Sequence, residues 1–197
     1  SKWLGDEEDP RGDRGRIEDL YLNHGYVTAQ VGNPKISYSD GKSGFLKKKP
    51  VKWMRLEIPV TEGDQYRMGK LGFEGLTVLK EDFVRGYFKL KPGAIYDESK
   101  FKKAYEKLRD AYGSLGYFQW TGGTQRKPDP ERKVVDVTVR MEEDKQYLLG
   151  KLSFTGNDST RDKVIRREVY LNEGEVFNTE ALKLSIKRIN QLGYFKP

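Results

Sequence analysis

Gln65-Tyr66-Arg67-Met68-Gly69-Lys70-Leu71-Gly72-Phe73-Glu74-Gly75 returns as Gln146-Tyr147-Leu148-Leu149-Gly150-Lys151-Leu152-Ser153-Phe154-Thr155-Gly156, 81 positions on (146 − 65). Gly93-Ala94-Ile95-Tyr96-Asp97 keeps that spacing against Gly174-Glu175-Val176-Phe177-Asn178, whereas Leu115-Gly116-Tyr117-Phe118 meets Leu192-Gly193-Tyr194-Phe195 at 77 (192 − 115). The earlier copy therefore holds 4 more residues (81 − 77) between Phe101 and Gly116. That is about one helical turn, an insertion that leaves a helix face unchanged. His24-Gly25-Tyr26 is a third copy of the last element. Recurrence at a fixed period marks a repeat architecture. At this period the 197 residues hold one whole unit, residues 65–145, and two partial ones, residues 1–64 and 146–197.

Hydrophobic periodicity assigns elements to the unit. Leu71 and Phe73 alternate with Lys70 and Gly72, and Leu152 and Phe154 repeat the pattern, so residues 66–73 and their copy read as a half-buried opening strand closed by a Gly turn. A short helix is expected over residues 80–87 and again over 160–169. Behind an Asp97 cap, Phe101, Tyr105, Leu108, Tyr112 and Leu115 fall at helical steps on one stripe; Leu182, Ile186 and Ile189 repeat it behind Asn178. Gly25, Gly116 and Gly193 end these helices, where a left-handed residue is needed. Val27 to Val31 and Phe118 to Thr121 read as middle strands, followed by a hairpin of Gly, Pro and Lys. Met54, Leu56, Ile58 and Val60, like Val135, Val137, Val139 and Met141, alternate as closing strands. The order β-α-α-β-β would pack two helices on a three-stranded mixed sheet, an α+β fold of two layers.

Composition narrows function by exclusion. With 37 Lys and Arg against 30 Asp and Glu the formal charge is +7, spread through a chain that is 34% charged, which describes a mixed solvated surface better than a nucleic-acid footprint. The absence of cysteine excludes disulfides, thiolate metal sites and cysteine nucleophiles. No apolar run approaches the roughly 20 residues of a spanning helix. The first residues, Ser1 to Asp9, carry no initiating Met and no apolar leader, and read as the start of an excised segment. The lone His24 ends a helix where the other copies have Leu115 and Leu192, a packing position. Asp6-Glu7-Glu8-Asp9 and Glu142-Glu143-Asp144 have no partner His, and no nucleophile elbow or phosphate loop occurs. No enzyme, cofactor or metal is expected. Gly12-Asp13-Arg14-Gly15 matches the loop with which KH modules clamp RNA, but the corresponding Lys91-Pro92-Gly93-Ala94 and Asn172-Glu173-Gly174-Glu175 do not, so nucleic-acid binding is not expected.

The unit order, Gly-Lys-Leu-x-Phe-x-Gly in the opening strand, Leu-Gly-Tyr-Phe after the second helix, Val164-Ile165-Arg166-Arg167-Glu168 and the run from Ser185 to Phe195 resemble the polypeptide-transport-associated (POTRA) domains of outer-membrane protein assembly factors. The resemblance places the chain as part of a third, all of a fourth and part of a fifth such domain. It implies a scaffold on the periplasmic side of a Gram-negative outer membrane. Its implied partners are unfolded outer-membrane proteins, assembly-complex lipoproteins and the chain's own C-terminal β-barrel. A secretion-type relative with one dedicated substrate is the alternative within the fold. An exposed strand edge pairs with a partner's backbone whatever its side chains, which suits a general receptor. The resemblance makes the middle strand that edge: Val27, Thr28, Ala29, Gln30 and Val31 in one unit, and Phe118, Gln119, Trp120 and Thr121, continuing to Thr124, in the next. Trp120 is expected to meet a client segment. Arg166, Arg167 and Glu168 are expected either to dock a partner lipoprotein or to form ion pairs within the chain. Lys47-Lys48-Lys49 is read as a solvated hairpin tip or an anionic contact. The joints Thr61-Glu62-Gly63-Asp64 and Glu142-Glu143-Asp144-Lys145 are short, with Gly63 giving the first more freedom.

Overall fold

The structure, a computed structural model, describes residues 3, 11–43, 49–157 and 160–193. Residues 6–9, Lys47, Lys48, Tyr194 and Phe195 lie outside these. In chain order the elements are α1 (Gly12–Asn23), β1 (Gln30–Val31), β2 (Lys35–Ser43), β3 (Lys49–Glu57), β4 (Val60–Thr61), β5 (Arg67–Glu74), α2 (Glu81–Arg85), α3 (Glu98–Ser114), β6 (Thr121–Asp129), β7 (Val134–Glu142), α4 (Asp162–Arg166) and α5 (Thr179–Gln191). The whole unit thus runs strand, helix, helix, strand, strand, with sheet order β5-β7-β6. Along β7, Val135, Val137, Val139 and Met141 are all buried, the alternation of a central strand with one face on the core.

The extra helical turn is real: α3 has 17 residues and α5 has 13, and their starts lie 81 apart (179 − 98). Phe101, Ala104, Leu108 and Tyr112 form the buried stripe of α3, while Leu115, at its end, is exposed. Asn178 caps α5, its side-chain oxygen accepting from Glu180 N and Ala181 N at 2.9 and 3.0 Å. The short helices span five residues each, less than expected. In α2 the reason is local: Tyr87 N bonds Val84 O and Phe88 N bonds Arg85 O, tighter i→i+3 turns that end the helix and turn Phe88 into the core.

The middle strands begin later than the alternation suggests. After Tyr112 the chain closes with Gly116 N donating to Gly113 O and Tyr117 N to Tyr112 O, a Schellman ending with Gly116 at φ +87°, and Trp120 N then donates to Tyr117 O. Gly25 N to Leu22 O, Tyr26 N to Tyr21 O and Ala29 N to Tyr26 O repeat it. Backbone donors spent in a turn are not available to a ladder. Val27, Thr28 and Ala29, like Phe118, Gln119 and Trp120, are therefore not strand; β1 starts at Gln30 and β6 at Thr121. The stretch read as a hairpin connection after Val31 instead forms β2, antiparallel to β3 with Ile36 opposite Leu56 and Tyr38 opposite Met54.

Two further expectations are not met among the described residues. Residues 147–154 form no ladder, only an isolated bridge between Leu148 and Val176; the strand that pairs with β5 is β7, and a counterpart of β7 is not among the described residues after α5. Met54 and Leu56 are 61% and 49% exposed, although Val135 and Val137, 81 residues on, are buried. Gly12 to Gly15, read as a loop motif, lie in the first turn of α1.

The chain divides into two compact units. One comprises Ser1–Gly69, Pro92–Glu98 and Pro128–Val135; its buried apolar residues are Val31, Tyr66, Met68, Tyr96 and Val135. The other comprises Lys70–Lys91, Ser99–Lys127 and Asp136–Pro197. It is packed around an aromatic run in which Phe88 meets Phe73, Phe101 and Tyr105 at centroid distances of 5.5, 5.5 and 5.9 Å.

Candidate functional site

Each joint is closed by one set of hydrogen bonds, present twice. At the first, Gln65 Nε2 donates to His24 O (2.9 Å), Tyr66 N to Gly25 O (2.8 Å) and Tyr96 N to Tyr66 O (3.1 Å). At the second, Gln146 Nε2 donates to Leu115 O, Tyr147 N to Gly116 O and Phe177 N to Tyr147 O, each at 2.9–3.0 Å. The left-handed glycine is required here twice over. A Cβ on Gly116 would lie 2.7 Å from Val176 Cγ1 and 3.0 Å from Tyr147 O. The joints also share a left-handed residue at the same repeat position, Gly63 at φ +71° and Asp144 at φ +55°.

A tyrosine near the end of each preceding helix clasps the joint's glutamate. Tyr21 OH donates to Glu62 Oε1 at 3.0 Å, and Tyr112 OH to Glu143 Oε1 at 2.5 Å. Glu143 is buried and also accepts from Thr77 N, Val78 N and the Thr77 hydroxyl. Burial by itself would raise the Glu143 carboxyl, but the bonds from Thr77, Tyr112 and Val78 together outweigh it and hold the group below the usual carboxylate range. Burial, and then the bond to Glu143 and its charge, push the Tyr112 phenol well up. Neither glutamate stood out in the sequence except as a joint residue. The signal that finds them is the double coincidence of Glu62 with Glu143 at 81 residues and Tyr21 with Tyr112 at 91.

The edges differ from their sequence reading. Trp120 is 4% exposed and stacks on Tyr112 at 5.2 Å with 10° between planes, so it is a core residue and does not face a client; the turn after Gly116 rotates it inward. Phe118 packs on Tyr147 and Phe177 at 4.8 and 5.3 Å, at the joint. Val27 is half-buried and Gln119 exposed. Gln30 and Val31 pair with Thr61 and Val60, with Val31 buried. Thr121 is exposed and opens β6, which pairs with β7 on one side and with no strand on the other among the described residues. The opposite edge, β5, is partly occupied: Met68 N donates to Ala94 O at 2.7 Å and Met68 O accepts from Gly93 N at 2.8 Å. Within this three-stranded sheet the free edge is thus concentrated in β6, while the two-stranded pairs β1-β4 and β2-β3 have unpaired sides of their own among the described residues. The far end of β6 carries Arg126, Lys127 and Pro128, residues that discourage indiscriminate pairing.

Arg166 donates to Leu152 O at 3.0 Å, pairs with Asp162 at 3.1 Å and lies over Phe154. Arg85 does the same to Leu71 O, Glu81 and Phe73 in the preceding unit, so both arginines brace the short helix against the opening segment. Glu168 bridges Arg188 and Arg167 at 3.2 and 3.4 Å, and of the three residues Arg167 is the most exposed. Among the described residues no group of His, Cys, Asp and Glu could hold a metal ion, and no helix is long and apolar enough to cross a membrane.

Comparison with known proteins accords with this arrangement. The chain is 30% identical over 185 residues to the outer membrane protein assembly factor BamA of Neisseria meningitidis serogroup B, and 28% identical over 187 residues to that of Nitratidesulfovibrio vulgaris. Both alignments cover 93% of this chain and 22% of the relative, so the chain spans about a fifth of the length of the curated relatives it matches. The crystal structure of POTRA domains 3–5 of Haemophilus influenzae BamA superposes with a TM-score of 0.74 over 93% of this chain and 69% of that one, at 23% identity, a likeness of fold. The family described as surface antigen variable number repeat, POTRA, matches residues 66–144 and 147–197, and the chain belongs to that family.

Proposed function

We infer that this chain is part of the periplasmic scaffold of an outer-membrane protein assembly machine, and that β6 takes up segments of unfolded outer-membrane proteins by strand augmentation. The observation that carries the reading is the free outer side of β6 in a chain similar to assembly factors. Gln30, Val31 and the strand β2 beyond them offer a second edge of the same kind. Partner lipoproteins dock beside α4 through Arg167, and a C-terminal β-barrel belonging to the same protein receives the client. At about 0.5–1.5 kcal/mol net per backbone hydrogen bond, four to six bonds less the cost of ordering the client give weak, reversible capture. A handover step needs that weakness.

The test is a titration of the chain with a client β-strand peptide, followed by NMR. Proline is placed singly at Thr124 and at Gln125; outward and inward backbone donors alternate along a strand, so one of these removes an outward donor and keeps stability, whereas the other breaks the pairing with β7. The proline variant that keeps its unfolding midpoint should lose the peptide-induced shifts along β6. Undiminished shifts there would sink the augmentation mechanism. For the docking surface, Arg167→Glu should weaken capture of lipoprotein partners without altering client shifts; unchanged capture removes Arg167 from the reading.

A further inference from the structure

The cleft between the α2–α3 connection and α3 is a cationic site with an apolar wall. It encloses about 220 Å³ and is lined by Tyr87, Lys89, Lys100, Lys103, Glu106 and Lys107. Lys100, Lys103 and Lys107 follow at steps of three and four on one face of α3 and span about 10 Å along its axis. Lys89, Lys103 and Lys107 are exposed and make no ion pair among the described residues. Tyr87 is flanked edge-on by Phe83 at 5.3 Å, and Phe83 is 53% exposed. Lys89, Lys103 and Lys107 thus leave the cleft with a net positive charge despite Glu106, beside exposed aromatic surface.

The next unit shows that the fold does not demand this. Eighty-one residues on, Tyr87 becomes Glu168, Lys89 becomes Tyr170, Lys103 becomes Leu184 and Lys107 becomes Arg188. There Arg188 pairs with Glu168 at 3.2 Å and lies over the Tyr170 ring, so the same place in the fold neutralises itself. Of these two units, the middle one leaves Lys89, Lys103 and Lys107 without an ion pair among the described residues.

We propose that this cleft docks an acidic polypeptide segment of a partner protein, with two or three carboxylates set on Lys89, Lys103 and Lys107 and an aromatic or aliphatic side chain against Tyr87 and Phe83. Glu106 among the lysines favours a peptide over a phosphate-bearing lipid surface. The phosphates of an anionic headgroup layer are repelled by that carboxylate, whereas a peptide can turn backbone N–H donors to it while its own carboxylates sit on the lysines. A concave wall of aromatic rings and lysine stems also fits one inserted side chain better than a flat bilayer. Exposed pairs of this kind are weakened by salt.

The probe is a fluorescein-labelled decapeptide of Asp and Glu around a single Phe, titrated into the 197-residue chain at about 50 and 300 mM salt. Controls are the same peptide with Lys at every acidic position, and phosphatidylglycerol vesicles. Binding should perturb the amides around Tyr87, Lys103 and Lys107, fall at least tenfold in K103E/K107E and several-fold in Tyr87→Ala, and weaken at the higher salt. K103A/K107A, with an unchanged unfolding midpoint, should show an intermediate loss. Equal binding of the basic peptide, shifts located elsewhere, undiminished binding by K103E/K107E, or vesicle binding lost in that variant while the acidic peptide fails to bind would each overturn the proposal. The β6 proline variant should bind the acidic peptide normally, so failure of the client reading and failure of this one are separable.

Discussion

Glu143 concentrates the second joint in one carboxylate: four donors, from Thr77 N and Oγ1, Val78 N and Tyr112 OH, converge on it. Its folded pKa lies below that of the unfolded chain, where a glutamate titrates near about 4.3. The stability it contributes is therefore fully present above that value and drains as pH falls through it toward the folded pKa. Glu143→Gln should flatten the acid limb of a plot of unfolding midpoint against pH below about pH 4.3, and should cost about 1–3 kcal/mol at neutral pH because donors lose a charged acceptor. An acid limb of unchanged slope would count against this account. Tyr112 has the opposite sign. With its phenol raised in the fold, its contribution is complete below the unfolded value of about 10 and is lost as pH rises beyond it, so Tyr112→Phe should flatten the alkaline limb. Trp120 shows the limit of reading single residues from sequence. A tryptophan between Gln119 and Thr121 reads as an exposed strand residue, but the turn after Gly116 aims it at Tyr112, and nothing in its immediate neighbours records that rotation.

At the scale of elements, helices were legible because their evidence is local and periodic. The stripe on α3, the Asn178 cap and the four-residue difference between α3 and α5 all follow from spacing. Strand limits were not, since a strand exists only against a partner and its first residue depends on where the preceding turn stops consuming donors. Glycine substitutions compare an open turn with a helix end. Gly93→Ala, at φ +80° with open space around it, should lose about 1–2 kcal/mol from the left-handed backbone alone. Gly116→Ala, whose Cβ would press on Val176, Gln146 and Tyr147 O, should lose about 1–3 kcal/mol more. Denaturant midpoints of the two variants give the comparison; equal losses would mean that close approach at the joint is unimportant. Leu108→Ala, in the buried stripe of α3, should cost about 2–5 kcal/mol.

Across the whole molecule, identical sequence positions take different environments. Val137 is buried while Leu56, its counterpart, is half exposed. Val137→Ala should therefore cost about 1–3 kcal/mol, and Leu56→Ala should stay within about 0.5 kcal/mol, measured by denaturant unfolding of the same chain. Comparable losses at both positions would show that the hairpin face is covered in solution. Charge pairing differs between repeats in the same way, with Lys103 and Lys107 of α3 making no ion pair among the described residues where Glu168 and Arg188 pair in the next unit. The sequence by itself determined the repeat, the α+β order of its elements, the stripe that packs α3 and the glycines that end the helices, because each depends on short-range periodicity or on one residue's backbone freedom. Only the tertiary structure decided that β6 starts at Thr121, that Trp120 is core, and that Tyr112 and Thr77 converge on Glu143. These are meetings of segments far apart in the chain, and which donors and faces remain open after such meetings is settled by packing and not by the order of residues.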